Sequence, residues 1–205
     1  MERQSSLFES PAASPAPSGP RGGASGQAGP GPSSTLTCFF ALRPAPDDAR
    51  RIAAHAAELT AAHGLTGRSI AARRLHVTLD LVGHDVDETA LTAARHAAAT
   101  VRFAAFDVVF DHAMTFGAAG PYVLLGGTGV EPVRGLRLAL ACAMADAGFR
   151  PEHRFEPHMT LHYDHHRAVA RHAIPPVGFH ARSFDLVVSH VGLSQHEVLG
   201  SWPLT

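Results

Sequence analysis

From residue 35 onward, short apolar runs alternate with stretches of helical periodicity, whereas the first 34 residues carry neither pattern. Leu36 to Leu42 (LTCFFAL) is a continuous apolar run cut off by Pro44 and Pro46, as expected of a buried strand. Asp47 and Asp48 suit a helix start, and Ala49, Ile52, Ala53, Ala56 and Leu59 fall on one stripe that ends at Gly64. Arg74 to Val82 (RLHVTLDLV) alternates strictly. Leu75, Val77, Leu79 and Leu81 are expected on a core face, and His76, Thr78 and Asp80 on the other. Glu88 to Ala99 predicts a second, alanine-rich helix, and Phe103 to Phe110 and Tyr122 to Leu125 predict strands around a Gly/Pro loop. Pro132 to Ala147 predicts a third helix, with Val133, Leu136, Leu140 and Met144 on one face and Gly148 just past its end. Pro157 to Tyr163 (PHMTLHY) repeats the alternation, with His158, Thr160 and His162 on one face, and Phe184 to Leu193 is the final strand.

Strand, helix and strand thus recur in each half, which predicts an α+β domain of two similar lobes over residues 35–205. At 205 residues and 45% hydrophobic content, the chain supports one core of substantial size. Residues 1–34 are dominated by Ser, Pro, Gly and Ala and lack the basic start and apolar centre of a secretory signal, so a disordered tail is expected. Lys plus Arg (17) nearly balance Asp plus Glu (18), which excludes the broad basic field of a duplex binder; any phosphate site must be local. The two cysteines, Cys38 and Cys142, form no disulfide framework, are expected as small buried residues, and fit a reducing cytoplasm. No stretch approaches the ~20 apolar residues of a membrane span, so a soluble protein is expected.

The informative feature is a duplication: His76-Val77-Thr78-Leu79 and His158-Met159-Thr160-Leu161. In a chain with 15 histidines one His-x-Thr is what chance supplies, but two copies with apolar residues at both other positions are not. Residues two apart on a strand share a face, so each copy sets an imidazole beside a hydroxyl, and two such strands would frame one cleft. Imidazoles accept and donate protons near neutral pH, and threonine hydroxyls can stabilise charge growing on phosphoryl oxygens. The pattern therefore suits opening of a cyclic phosphate, with His76 and His158 as an acid-base pair and Thr78 and Thr160 as oxygen ligands.

On these residues the chain resembles the two-histidine phosphoesterases, and within them the LigT-like RNA 2′,3′-cyclic phosphodiesterases, also called 2′-5′ RNA ligases. The resemblance spans about residues 36 to 203 and rests on LTCFFAL followed by prolines, RLHVTLDLVG, FEPHMTLHYD and the closing EVLGSWPL. It implies two pseudo-symmetric lobes, each an antiparallel sheet with helices outside, around a central cleft. It also implies hydrolysis of a 2′,3′-cyclic phosphate at RNA 3′ ends to a 2′-phosphate, with no metal or other cofactor. RNA ends or nucleoside 2′,3′-cyclic phosphates would be the partners, the protein being a cytoplasmic monomer. His158 would be the base and His76 the acid, and Phe40 would stack a base. One departure stands out: many members have Arg where Tyr163 stands, so Tyr163 is a candidate substrate contact by hydrogen bonding or stacking. The alternatives are 2′-5′ ligation or 2′-5′ phosphodiester cleavage by the same histidines, or a non-catalytic RNA-binding domain.

Other features count for less. His162, Asp164, His165 and His166 lack the spacing of a closed metal site. Arg73 and Arg74 could flank the cleft and attract phosphates. Phe39 and Phe40 alternate in direction, so one should face the core and the other the cleft. Gly126-Gly127-Thr128-Gly129 is read as a turn, since the Lys-Ser/Thr of a phosphate-binding loop is missing.

Overall fold

The structure, a computed structural model, describes residues 36–150, 154–164, 166–190, 193 and 195–205. The tail expected over residues 1–34 lies outside the described residues. The strands are β1 (Leu36–Leu42), β2 (Arg68–Ser69), β3 (Val77–His84), β4 (Phe106–Thr115), β5 (Pro121–Leu125), β6 (His158–Tyr163), β7 (His172–Ala181), β8 (Ser183–His190) and β9 (Gln195–Pro203). The helices are α1 (Pro46–Ala62), α2 (Glu88–Thr100) and α3 (Glu131–Asp146). Pro46 opens α1 where its missing N–H costs nothing, and Asp87 caps α2 by accepting the Ala90 N–H at 2.8 Å.

All strands join one antiparallel sheet in the order β7-β4-β5-β6-β3-β1-β8-β9, with β2 attached to β6. The chain is therefore α+β, as the alternation of patterns predicts. The duplication takes the form of two halves of a continuous sheet: the motif strands β3 and β6 lie side by side at its centre, paired at Val77 and Met159. Helix α1 packs against β6 and β7, α3 against β3 and β4, and α2 against α3 and β9. Val77, Leu79, Met159 and Leu161 point into the same buried core as Ile52, Leu136 and Leu140, which leaves the opposite face of β3 and β6 for His76, Thr78, His158 and Thr160.

The alternation is interrupted at the same place in both motifs. Strand β1 pairs Phe40 with Asp80 and Ala41 with Thr78, so Leu79 is an extra residue on β3; β5 pairs Tyr122 with His162 and Val123 with Thr160, so Leu161 is extra on β6. A bulge of this kind turns the residues after it over. Leu81, expected in the core, is 48% exposed, while Asp80 is buried beside Arg137 of α3. His162, expected on the cleft face, is likewise buried, its Nδ1 3.0 Å from the Ser69 hydroxyl. The same reversal brings Tyr163 onto the face that carries His158 and Thr160.

Strand β7 has no counterpart in the sequence reading because Pro175, Pro176 and Gly178 argue against a strand. It lies at the sheet edge, paired only with β4, where prolines break no second ladder. Gly178 passes so close to the Val108 carbonyl that a Cβ would collide with it. Cys38 is buried as expected, but Cys142 is exposed, on the side of α3 away from Val133, Leu136 and Leu140.

Phe40 corrects another expectation. It is fully buried between Phe184 (6.1 Å between ring centres) and Trp202 (5.8 Å), so it packs the core rather than stacking a base. Phe40→Ala should destabilise the protein by about 3 to 5 kcal/mol in urea unfolding. A loss below about 1 kcal/mol would mean the ring is not part of the packed interior.

Candidate active site

A single 3-10 turn over Ala72–Arg74 leads into β3 and sets the Arg74 carbonyl against the side chain two residues on. His76 Nδ1 donates to that carbonyl at 2.7 Å. His158 opens β6 and repeats the contact, donating from Nδ1 to the Glu156 carbonyl at 2.8 Å. A carbonyl can only accept, so each neutral ring carries its proton on Nδ1 and its lone pair on Nε2. The segment before His158 is held by Arg134 of α3, which donates to the Phe155 carbonyl at 3.0 Å and to the Glu156 carboxylate at 2.9 Å.

The Val77–Met159 pair sets the geometry between the motifs. One residue to either side in that antiparallel register, His76 stands across from Thr160 and Thr78 across from His158. All four are half-buried, while Val77 and Met159 are fully buried behind them. The two imidazoles are near enough that positive charge on His158 disfavours protonation of His76. The four predicted site residues therefore come together on one face. Tyr163 joins them, with the Arg68 guanidinium 5.8 Å above its ring, and Phe40 does not.

Each motif histidine also lies against a phenylalanine: Phe39 at 5.1 Å from His76 and Phe116 edge-on at 4.9 Å from His158. Phe39 is thus the member of the Phe39-Phe40 pair that reaches the site. A third imidazole, His196 on β9, stands edge-on to His76 at 5.3 Å and 5.8 Å from Phe39. Sequence reasoning missed Phe116, which follows the end of β4, and His196, which lies on an edge strand with no clean alternation.

Burial pushes His76 down to about 4; the Arg74 carbonyl opposes this, and His158, Arg74 and Arg43 reinforce it. His158 is also lowered by burial, against the pull of the Glu156 carbonyl and carboxylate. His196 is pushed down to about 3 by burial, with His76, Arg74 and Arg43 adding to the effect. The Arg74 guanidinium is itself held below its ordinary value by burial and by Arg68. Arg43, Arg68 and Arg74 bring positive charge to this site in a chain of formal net charge −1, with Arg43 lying 3.5 Å from the Asp185 carboxylate. Asp164, by contrast, is occupied by the backbone N–H groups of Thr66 and His166, both at 2.8 Å. Among the described residues no three His, Cys, Asp or Glu side chains converge as metal ligands; His165 lies outside them.

These depressed histidines predict acid sensitivity. Below the ordinary value of 6.5 the unfolded chain binds protons that folded His76 refuses until about 4, so stability present above 6.5 is lost as pH falls through that window. The melting temperature should fall between pH 6.5 and 4, and less steeply in His76→Ala. Equal slopes in the two proteins would exclude His76 as a contributor.

Residues 44–198 match the model of the 2′-5′ RNA ligase superfamily. The apo crystal structure of E. coli LigT superimposes with a TM-score of 0.68 at 25% identity, covering 84% of this chain and 99% of that one. E. coli LigT complexed with 3′-AMP gives a TM-score of 0.68 at 26% identity, covering 83% and 99%. A Thermus thermophilus protein, TM-score 0.65 at 18% identity over 82% and 97%, shares the fold. No curated protein matches the chain in sequence. No helix among the described residues is long and apolar enough to cross a membrane.

Proposed function

The chain belongs to the 2′-5′ RNA ligase superfamily as a LigT-like two-histidine phosphoesterase, and from that premise we propose that it hydrolyses 2′,3′-cyclic phosphates at RNA 3′ ends to 2′-phosphates. The observation that carries this reading is the matched pair of imidazoles, each anchored through Nδ1 to the carbonyl two residues before it and each set across from the other motif's threonine. Both Nε2 atoms are then committed to proton transfer. One takes a proton from the attacking water as the new P–O bond forms. The other, protonated, gives its proton to ribose O3′ as the P–O3′ bond breaks. Thr78 and Thr160 hydroxyls donate to the two non-bridging oxygens, where negative charge grows in the transition state.

Acid, base and charge stabilisation are all assigned to named side chains, so the reaction balances without a metal. Arg43, Arg68 and Arg74 draw the phosphate in, and Tyr163, beneath Arg68, contacts the terminal nucleotide. Both motifs come from one chain, so a monomer suffices. Joining two RNA ends through a 2′-5′ linkage would use the same proton transfers with a ribose 5′-hydroxyl in place of water, and cleaving that linkage would run them backwards. Water at roughly 55 M outcompetes a ribose hydroxyl unless the second RNA is held in place.

Phosphorus NMR of the product from cytidine 2′,3′-cyclic phosphate tests the proposal. The 2′-phosphate is expected. The 3′-phosphate would mean that O2′ leaves instead, and an unchanged substrate would point to a binding domain.

A further inference from the structure

His76 and His158 make the same contact, Nδ1–H to the carbonyl two residues back, but the two carbonyls are held in different ways. The Arg74 carbonyl belongs to the 3-10 turn over Ala72–Arg74, which is closed by its own backbone: the Arg74 N–H donates to the Ala71 carbonyl at 2.8 Å and the Leu75 N–H to the Ala72 carbonyl at 3.1 Å. Local hydrogen bonds thus fix the acceptor of His76. The Glu156 carbonyl has no such turn around it. Residues 154–157 lie in neither helix nor strand, and Pro157, directly before His158, has no N–H to give to one.

Helix α3 supplies the support instead. Arg134 donates from one terminal nitrogen to the Phe155 carbonyl at 3.0 Å and from the other to the Glu156 carboxylate at 2.9 Å, so its fork spans the peptide unit that leads to the Glu156 carbonyl. Its Nε lies 3.3 Å from Glu131, one helical turn earlier, and all three guanidinium nitrogens are engaged. One turn further on, Arg137 lays its guanidinium over the Phe155 ring at 5.3 Å and comes within 3.7 Å of Asp80 on β3. Residues three apart share a helix face, so one face of α3 grips the approach to the second motif and also touches β3 two residues beyond Thr78.

We infer that Arg134 is the positioning residue for His158: its fork fixes the Glu156 carbonyl, and that carbonyl fixes the tautomer and orientation of the ring. A planar guanidinium with several donors in a set geometry suits this task, where a lysine would offer a single point charge. The inference does not depend on which imidazole is acid and which is base, since either role needs the proton on Nδ1 and Nε2 turned to substrate. Its kinetic consequence rests on the hydrolytic reading given above.

Two measurements test it. The first is the protonation site of each ring, read from two-bond 1H–15N spectra of the full chain at about pH 8, where both imidazoles are neutral. Wild type should carry the proton on Nδ1 in His76 and in His158. In Arg134→Ala the His158 ring should populate the Nε2–H tautomer, because its acceptor is no longer held, while His76 in the same spectrum stays as it was. Arg134→Lys, which keeps the charge and the aliphatic stem and is gentler on folding, should fall between the two. An unchanged His158 tautomer in both variants, or an equal change at His76, would overturn the inference.

The second measurement is turnover of cytidine 2′,3′-cyclic phosphate. Arg134→Ala should lower kcat by roughly 10- to 100-fold, as expected for a misplaced reacting group, and change KM by less than about threefold. Arg134→Lys should recover part of that loss. In a chain that already carries His158→Ala, adding Arg134→Ala should cost little more, because the arginine acts through that ring. An unchanged kcat, a rise in KM alone, or a loss that adds in full to that of His158→Ala would sink the inference. Absence of wild-type turnover would count against the hydrolytic reading itself, and the tautomer measurement would still decide whether Arg134 holds the anchor.

Discussion

Replacing either His76 or His158 by alanine should lower turnover of a 2′,3′-cyclic phosphate by at least about 100-fold, because each removes a proton transfer that no neighbouring group is placed to supply. The anchoring explains why a nearby imidazole does not substitute. Nδ1 of each ring is tied to a carbonyl two residues back, which leaves Nε2 as the nitrogen that can exchange a proton with substrate. His196 lies on β9 and approaches His76 edge-on, in a different orientation. Since the two histidines act on one substrate in one cycle, the double variant should be little slower than the worse single one. Steady-state kinetics on all three proteins checks this. Multiplying losses in the double variant would mean that the two rings contribute independently.

Thr78→Ala and Thr160→Ala should each slow turnover by roughly 10- to 1,000-fold through lost stabilisation of the phosphoryl oxygens. Both threonines stand on the face opposite the buried Val77 and Met159, so their removal leaves no cavity in the core, and melting temperatures should change little. Full activity in either variant would make that hydroxyl a packing group rather than a ligand. The two substitutions also separate charge stabilisation from acid-base work: they should lower the plateau of the pH profile without displacing its limbs.

Much of this site is legible from periodicity. The alternation in RLHVTLDLV and PHMTLHY sets His76 with Thr78 and His158 with Thr160, and the apolar stripes of α1 and α3 locate the helices that cover the other face. What escapes is whatever depends on a partner strand. The bulges at Leu79 and Leu161 are properties of the pairing with β1 and β5, and nothing within either motif announces them. They reverse Leu81 and His162 relative to strict alternation, and they turn Tyr163 to the face of His158 and Thr160. The choice between Phe39 and Phe40 fails for the same reason: adjacent strand residues must point opposite ways, but only the neighbouring strands decide which way is inward. Strand β7, with its two prolines and a glycine, and β9, carrying His196, are edge strands with weak patterns, and the ring that lies edge-on to His76 comes from one of them.

The central claim is that two imidazoles, without a metal, open a cyclic phosphate. Its most direct test is the rate of cytidine 2′,3′-cyclic phosphate hydrolysis in excess EDTA, for wild type and for the His76→Ala/His158→Ala double variant. The expected result is a wild-type rate unaffected by the chelator and a double-variant rate at least about 100-fold lower. Loss of wild-type activity in EDTA, or a double variant that keeps its rate, would contradict the account.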